Sequence, residues 1–528
     1  MGWEDIERVR RRLSREQGAV VRDWGGKLPI ALVYPNSYYL GMSNLGVHAV
    51  YGLLNSYDNV AGERVFLETD KKGNTALPLS IESQRPLGDF AAVVFSISYE
   101  LDYFNVVAIL KAAGIPLSAK DRDESHPLFI AGGPCVMANP APLSLFFDAL
   151  AIGEAEPLLP RMLPLIGEGN RDETLESLAI IPGVYVPRYY SGEPVVRQWA
   201  KDLDDFPVAS AVLTGDTELG DLYLIEAERG CNWGCRFCLV SQCFAPMRYR
   251  SLESLLVQAE EGLKCRKRLG LVGAAASSHP QIEELLPKLT AMGARLSISS
   301  LRIAPLSEVV LKELARGGAK TLTLAPEAGS QRLRQLVKKG INEDDIIKAV
   351  EKVAGEGIRQ IKLYFIIGLP SESDEDIEAI VALALACKET IDRKHAGCRL
   401  TLNLSTFVPK AGTPFQWLPM AQPSALNRRL SIVKNALMPK GIKVKAESPA
   451  WSQLQGVLAR GDEKLAGVLA ETGRLSLAAW RKTAEKQGID IDFYAHTRWE
   501  VGQKLPWSMV ELGTKAGYLE TELARATA

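Results

Sequence analysis

The stretch that most constrains this chain is Cys-Asn-Trp-Gly-Cys-Arg-Phe-Cys at residues 231–238, which spaces Cys231, Cys235 and Cys238 as C-x3-C-x2-C. Just ahead of it, Asp-Leu-Tyr-Leu-Ile-Glu-Ala-Glu-Arg-Gly reads as a buried strand, so the thiols sit in the loop at that strand's C-terminal end. Soft thiolates suit iron–sulfur clusters, which ordinarily take four cysteines. Three on one short loop would hold three irons of a cubane [4Fe–4S] cluster and leave one iron open to another ligand. A zinc knuckle and plain structural cysteines are the alternatives. Zinc wants a fourth Cys or His at similarly short spacing, and Cys243 forms no C-x2-C pair, so the spacing favours the cluster.

With these residues the sequence resembles the radical S-adenosylmethionine (radical SAM) superfamily. Its signature is C-x3-C-x-aromatic-C in the loop after the first strand of a partial barrel, and Phe237 supplies the aromatic. The resemblance implies that the open iron is chelated by the amino and carboxylate groups of the methionine part of S-adenosylmethionine (SAM). One electron then passes to the sulfonium, and cleavage yields a 5′-deoxyadenosyl radical. An electron donor such as flavodoxin or ferredoxin is implied as a partner. The signature specifies the chemistry and leaves the substrate to other segments.

Ahead of the cysteines, five short apolar runs alternate with helical patterns, at 29–35, 63–68, 91–98, 127–134 and 148–154. Such alternation predicts a doubly wound parallel sheet with its ligand crevice at the strand C-termini. The expected domain covers residues 1–190 and includes a short helix over 3–16 whose five arginines read as a solvated face. The region resembles the cobalamin-binding domain of one radical SAM class in its strand order, its Ser-Ile-Ser run, Ala-Gly-Gly-Pro, and Gly-Glu-Ala-Glu at 153–156. That resemblance raises cobalamin as a further cofactor. Ser96, Ser98, Gly132 and Gly133 are the small residues that would line a groove for its nucleotide tail. The cobalt-ligating D-x-H-x-x-G is absent, and the loop carries Tyr38, Tyr39 and Met42; His48 reads as a packed helix residue. Cys135 is the extra cysteine at this ligand edge.

After a connector over 191–220, strand–helix alternation restarts, with strands expected at 221–227, 270–275, 295–301, 320–326, 360–368 and 399–408. Six βα units predict an open (β/α)6 TIM-type barrel over 221–440, with the chemistry at the strand C-termini. There the family resemblance assigns further cofactor contacts. Gly273 stands where the family has Gly-Gly-Glu against the methionine amino group; no Glu follows it, so backbone carbonyls are expected to serve. Ser299 or Arg302 would reach the ribose or carboxylate. Glu327, Gly329, Ser330 and Arg334 match an E-S-G-S run, and Ile366 and Gly368 would lie against adenine. Taken singly, these runs also read as helix caps and tight turns. Lys410 and Phe415 are candidates for the barrel mouth.

Residues 441–528 read as a mainly helical cap after a short strand, with tryptophans filling its core and Arg460 and Asp462 as loop candidates. The cap is also a candidate cover for the barrel mouth. A net charge of −1 over 528 residues gives no field favouring nucleic acid or anionic membrane. No apolar run of membrane-spanning length occurs, and eight cysteines used this way imply a reducing, cytoplasmic setting. The leading expectation is therefore a radical SAM enzyme, with or without cobalamin-assisted methyl transfer. A methylthiotransferase-like or other RNA-modifying enzyme and an iron–sulfur sensor or scaffold are the alternatives.

Overall fold

The computed structural model describes residues 2–70, 73–395, 397–472 and 475–527. The N-terminal sheet is built from β1 (Leu28–Tyr34), β2 (Val60–Phe66), β3 (Ala92–Ser96), β4 (Leu128–Gly132), β5 (Ala149–Ala151) and β6 (Val184–Tyr185). The strand order is β2-β1-β3-β4-β5-β6, parallel except for β6. β1 and β2 are buried along nearly their whole length, as strands covered on both faces must be. Order reverses between β1 and β3, which opens a crevice at their C-terminal ends. β6 and the helix Arg171–Ala179 lie in a stretch where little periodicity is visible; an Asn170/Glu173 capping box starts that helix.

The barrel consists of β7 (Leu222–Glu226), β8 (Arg268–Val272), β9 (Arg295–Ile298), β10 (Thr321–Glu327), β11 (Gln360–Ile367), β12 (Arg399–Thr406) and β13 (Lys443–Ala446). They pair in parallel as β9-β8-β7 and β10-β11-β12-β13. β13 is the strand that sequence placed at the start of the cap; it pairs with β12 and extends the barrel instead. The mixed α/β class, the partial barrel and the helical C-terminus match expectation. Alternate residues of β11 (Ile361, Leu363, Phe365, Ile367) join the core formed with the outer helices, leaving Ile366 on the opposite face.

The C-terminal helices pack on the N-terminal sheet's side of the molecule. Trp480 meets Phe104 edge-on at 5.6 Å, and Trp499 stacks on Trp507 at 5.6 Å. Arg460 is fully buried over Trp499 and donates to the carbonyls of Ala495 and Thr497, so it is a packing residue. Asp462 accepts from the Lys464 amide, a turn contact. The last helix, Tyr518–Thr527, lies against the cysteine loop: Arg236 donates to Glu522 at 3.0 Å and Lys338 pairs with the same carboxylate at 3.2 Å.

His48 is buried, as a packed helix residue should be. Its Nδ1 accepts from the Val212 amide at 3.3 Å, which leaves Nε2–H to donate to the Met42 carbonyl at 3.1 Å. Burial lowers its pKa to about 4, against the opposing Met42 hydrogen bond. An unfolded chain protonates this ring below about 6.5, so the neutral-ring contribution is present above that pH and is lost as pH falls toward 4. Urea unfolding of wild type should therefore lose about 2 kcal/mol more between pH 7.5 and pH 5 than His48→Gln does. Equal pH slopes would remove the ring from this account.

Candidate active site

The C-terminal ends of the N-terminal strands face the C-terminal ends of the barrel strands. Between them lies a cavity of 650 Å³. Its inner part enters between the helix Leu45–Asn55, through Leu45, Ala49 and Leu53, and the helix Ala155–Met162, through Leu158, Leu159 and Met162. Its floor is the sheet at Leu32, Val94 and Ile130, with the small residues Ser96, Ser98, Gly132 and Gly133 at the rim. Gly133 has φ +105°, and a Cβ there would stand 2.6 Å from the Ile97 carbonyl oxygen, so only glycine fits. The outer part reaches Glu228, Arg229, Gly230, Gly273 and Ser299 beside the cysteine loop.

Arg229 and Arg248 tie the two halves together, and Arg250 holds Glu226 within the barrel half. Arg229 pairs with Glu154 at 2.8 Å, Glu156 at 2.7 Å and Glu226 at 2.9 Å. Arg248 grips both Glu154 oxygens, at 2.6 and 2.9 Å, and Arg250 pairs with Glu226 at 2.5 Å. Burial acts to raise the Glu154 carboxyl, but hydrogen bonds and charge from Arg248 and Arg229 outweigh it and hold its pKa below the usual range. Sequence pattern singled out Gly-Glu-Ala-Glu without indicating these partners.

Cys231, Cys235 and Cys238 are all half-buried on one loop, with the Cys238 amide donating to the Cys235 carbonyl at 3.0 Å. Burial pushes Cys235 up to about 12. Among the described residues no three His, Cys, Asp or Glu side chains converge closely enough to hold one metal ion. Arg302 stacks over the Trp233 ring; burial lowers its guanidinium to about 10, offset in part by the charges of Cys235 and Cys231. Phe237 packs into the neighbouring core. Glu327, at the end of β10, has φ +68° and pairs with Lys339 at 2.9 Å; burial raises its pKa against that cation.

Other expected contacts are committed elsewhere. Ser299 donates to the Gly273 carbonyl at 3.0 Å, and Ser300 donates to the same oxygen at 3.1 Å, so this carbonyl is already occupied. Ser330 caps the helix Gln331–Leu336 and donates to Asp376 at 2.6 Å. Arg334 is buried and donates to the carbonyls of Ala328 and Gly329. Gly368 has φ +78°, and a Cβ there would stand 2.7 Å from Leu426 on the outer helix layer. A larger residue at 368 would thus break packing there, whatever its effect on adenine. Phe415 is fully buried against Phe407, away from any mouth, and Lys410 is paired with Glu100. Tyr38 and Met42 are buried in the N-terminal core, leaving Tyr39 exposed. Cys135 is likewise buried.

Comparison with known proteins gives the family. A model described as radical SAM proteins, N-terminal, matches residues 46–187, and the radical SAM superfamily model matches residues 225–384. An uncharacterized protein of Methanocaldococcus jannaschii is 34% identical over 83% of this chain and 90% of its own length. The chain belongs to the radical SAM superfamily. The family implies a [4Fe–4S] cluster and SAM, and the protein is a radical SAM enzyme. The ribosomal protein uS12 methylthiotransferase RimO of Thermotoga petrophila is 22% identical over 38% of this chain, which spans 55% of RimO. The cobalamin-dependent SAM radical enzyme OxsB, solved with aqua-cobalamin and SAM bound, shares the fold at TM-score 0.50 and 14% identity. That likeness covers 88% of this chain and 71% of OxsB. No helix among the described residues is long and apolar enough to cross a membrane.

Removing one partner from a buried ion network leaves unpaired charge. Arg229→Ala should therefore destabilise the protein by about 3–5 kcal/mol in denaturant unfolding, because three carboxylates lose their shared cation. A loss under about 1 kcal/mol, the range of exposed pairs, would show that the network is solvent-screened.

Proposed function

We propose that this enzyme holds a [4Fe–4S] cluster on Cys231, Cys235 and Cys238, cleaves SAM reductively, and binds a cobalamin in the 650 Å³ cavity for methyl transfer to its substrate. The observation that carries this reading is the continuity of one apolar cavity from the β1/β3 crevice to the cysteine loop. When bound, the cluster supplies the electron that cleaves SAM, and the corrinoid supplies a carrier for the methyl group.

The chain's own residues bind and orient these groups. Three thiols with one exposed loop edge suit a cubane with an open iron. Arg302 brings a cation to Cys231 and Cys235, where it offsets the negative charge of thiolates and can take the SAM carboxylate. Ser299, fixed on Gly273, sets the backbone at the end of β8. Ile366 offers a flat apolar contact for adenine, and the Glu327–Lys339 pair closes the site on the β10 side. In the inner cavity the facing rows of leucine, alanine and methionine suit an aromatic nucleotide base, and Ser96, Gly132 and Gly133 give its tail room. His48 has both ring nitrogens engaged, so its side chain would not be available to a bound cobalamin.

Anaerobically reconstituted protein should hold about four irons per chain, and the triple replacement of Cys231, Cys235 and Cys238 by Ala should lose them. Full iron content in the triple variant would sink the cluster assignment. For the corrinoid, protein loaded with hydroxocobalamin should retain about one cobalt per chain with a base-off spectrum, as one occupant of this cavity requires. Ala49→Trp should lose the cobalt while keeping its iron and its SAM cleavage. Retention of cobalt by Ala49→Trp, or none in wild type, would remove cobalamin from this cavity.

A further inference from the structure

The barrel lumen has a wall that its own side chains leave incomplete. Leu363 and Phe365 of β11, Leu402 and Leu404 of β12 and Val444 of β13 pack into the core shared with the outer helices. Strand alternation therefore turns Lys362 and Tyr364, Asn403 and Lys445 to the inside. At the floor, Thr321 Oγ1 donates to Gln360 Oε1 at 3.3 Å, and Gln360 Nε2 donates to Thr401 Oγ1 at 2.9 Å, so that layer satisfies itself. Higher up, pairing register sets Tyr364, Asn403 and Lys445 in one row across β11, β12 and β13, with Lys362 two residues below Tyr364. Among the described residues no hydrogen bond or ion pair engages these four side chains.

Closed barrels fill such positions with layers of branched apolar side chains. Here the layer is polar and open: Tyr364 is 37% exposed although β11 is paired on both sides. Lysines on an edge strand guard against unwanted strand pairing, which would account for Lys443 and Lys445 on β13. That role does not extend to Lys362, which is half-buried on an interior strand. The nearby acid Glu447 belongs to the next row toward the cysteine loop, where Ser405 donates to it at 3.2 Å. The middle of the wall is thus left with two lysines and no paired carboxylate. A half-buried ammonium without a counter-charge is a seat for an anion, which the flexible lysine stem can follow. Ile366, proposed above as the adenine contact, stands two residues beyond Tyr364 on the same face, about 7 Å nearer the cysteine-loop end.

We propose that the substrate is a small anion whose carboxylate or phosphate group sits between Lys362 and Lys445 in the lumen, with the Asn403 amide and the Tyr364 hydroxyl as further donors. The inference rests on the proposed SAM reaction and names the class of substrate it acts on. Anchored below Ile366, such a group leaves the rest of the substrate facing SAM.

Pyridoxal 5′-phosphate is a suitable probe, because its phosphate can occupy the seat while its aldehyde condenses with a neighbouring lysine, releasing water. Borohydride then reduces the imine to a stable amine, which peptide mass spectrometry locates. Exposed Lys312, on the outer helix Glu308–Arg316, is the internal reference. In anaerobically reconstituted protein, labelling at Lys362 or Lys445 relative to Lys312 should be about 10-fold higher with pyridoxal 5′-phosphate than with pyridoxal, the effect of one charge-assisted contact. Lys445→Gln should abolish that preference at Lys362, and Lys362→Met should abolish it at Lys445, while Lys445→Arg retains it. All three variants should keep full iron and the wild-type melting temperature. Protection by succinate or by glycerol 3-phosphate would support the seat and show which anion it takes. Labelling no more selective than at Lys312, or protection by an RNA oligonucleotide alone, would overturn the proposal. Because the label reads lysines whatever the iron content, wild type lacking iron would sink the cluster reading separately.

Discussion

The architecture depends on the buried ion network centred on Arg229. Its guanidinium lies 11% exposed between Glu154 and Glu156 from the N-terminal sheet and Glu226 from the barrel. Three carboxylates around one cation would repel strongly, but Arg248 and Arg250 bring the cationic count to three. In a low-dielectric junction such a balanced set is tolerable only in one geometry, because each donor has a fixed acceptor. It therefore fixes how the two parallel sheets face each other. Arg229 is also two residues from Cys231, so the same network anchors the cysteine loop at the edge of the cavity.

The cavity follows from topology as much as from side chains. Reversal of strand order between β1 and β3 leaves a gap that helices on either side cannot close. The two helices that border it present leucine, alanine and methionine side chains to the cavity. The barrel is pulled over this gap by the arginine network, and the C-terminal helices seal the other face through Trp480 and Phe104. The last helix then clamps the cysteine loop through Glu522, buried between Arg236 and Lys338. The cap thus acts on the loop, whereas its sequence suggested a cover for the barrel mouth.

Much of the fold was legible because buried parallel strands leave apolar runs whose length and spacing survive in the sequence. The five N-terminal runs and the six expected barrel strands all found their place. β13 was misplaced because Lys443, Val444, Lys445 and Ala446 carry no long apolar run; the strand is mostly exposed, and its partner β12 is distant in sequence. Ser330, Arg334 and Gly368 sit at the expected strand ends, but capping, carbonyl contacts and outer-helix packing use them. Short runs rich in Gly, Ser and Glu serve turns and cofactors with the same residue types, and linear order does not separate the two uses.

The sequence alone determined the chemistry class and the sheet types, since cysteine spacing and strand–helix alternation are local properties of a chain. Only the tertiary structure placed Glu228 over Gly273, 45 residues apart, because strand pairing between β7 and β8 fixes which residues meet at their ends. It likewise decided that Gly-Glu-Ala-Glu meets Arg229 and Arg248 across the junction. Such contacts depend on the register and docking of whole elements, and no pattern within one segment records them.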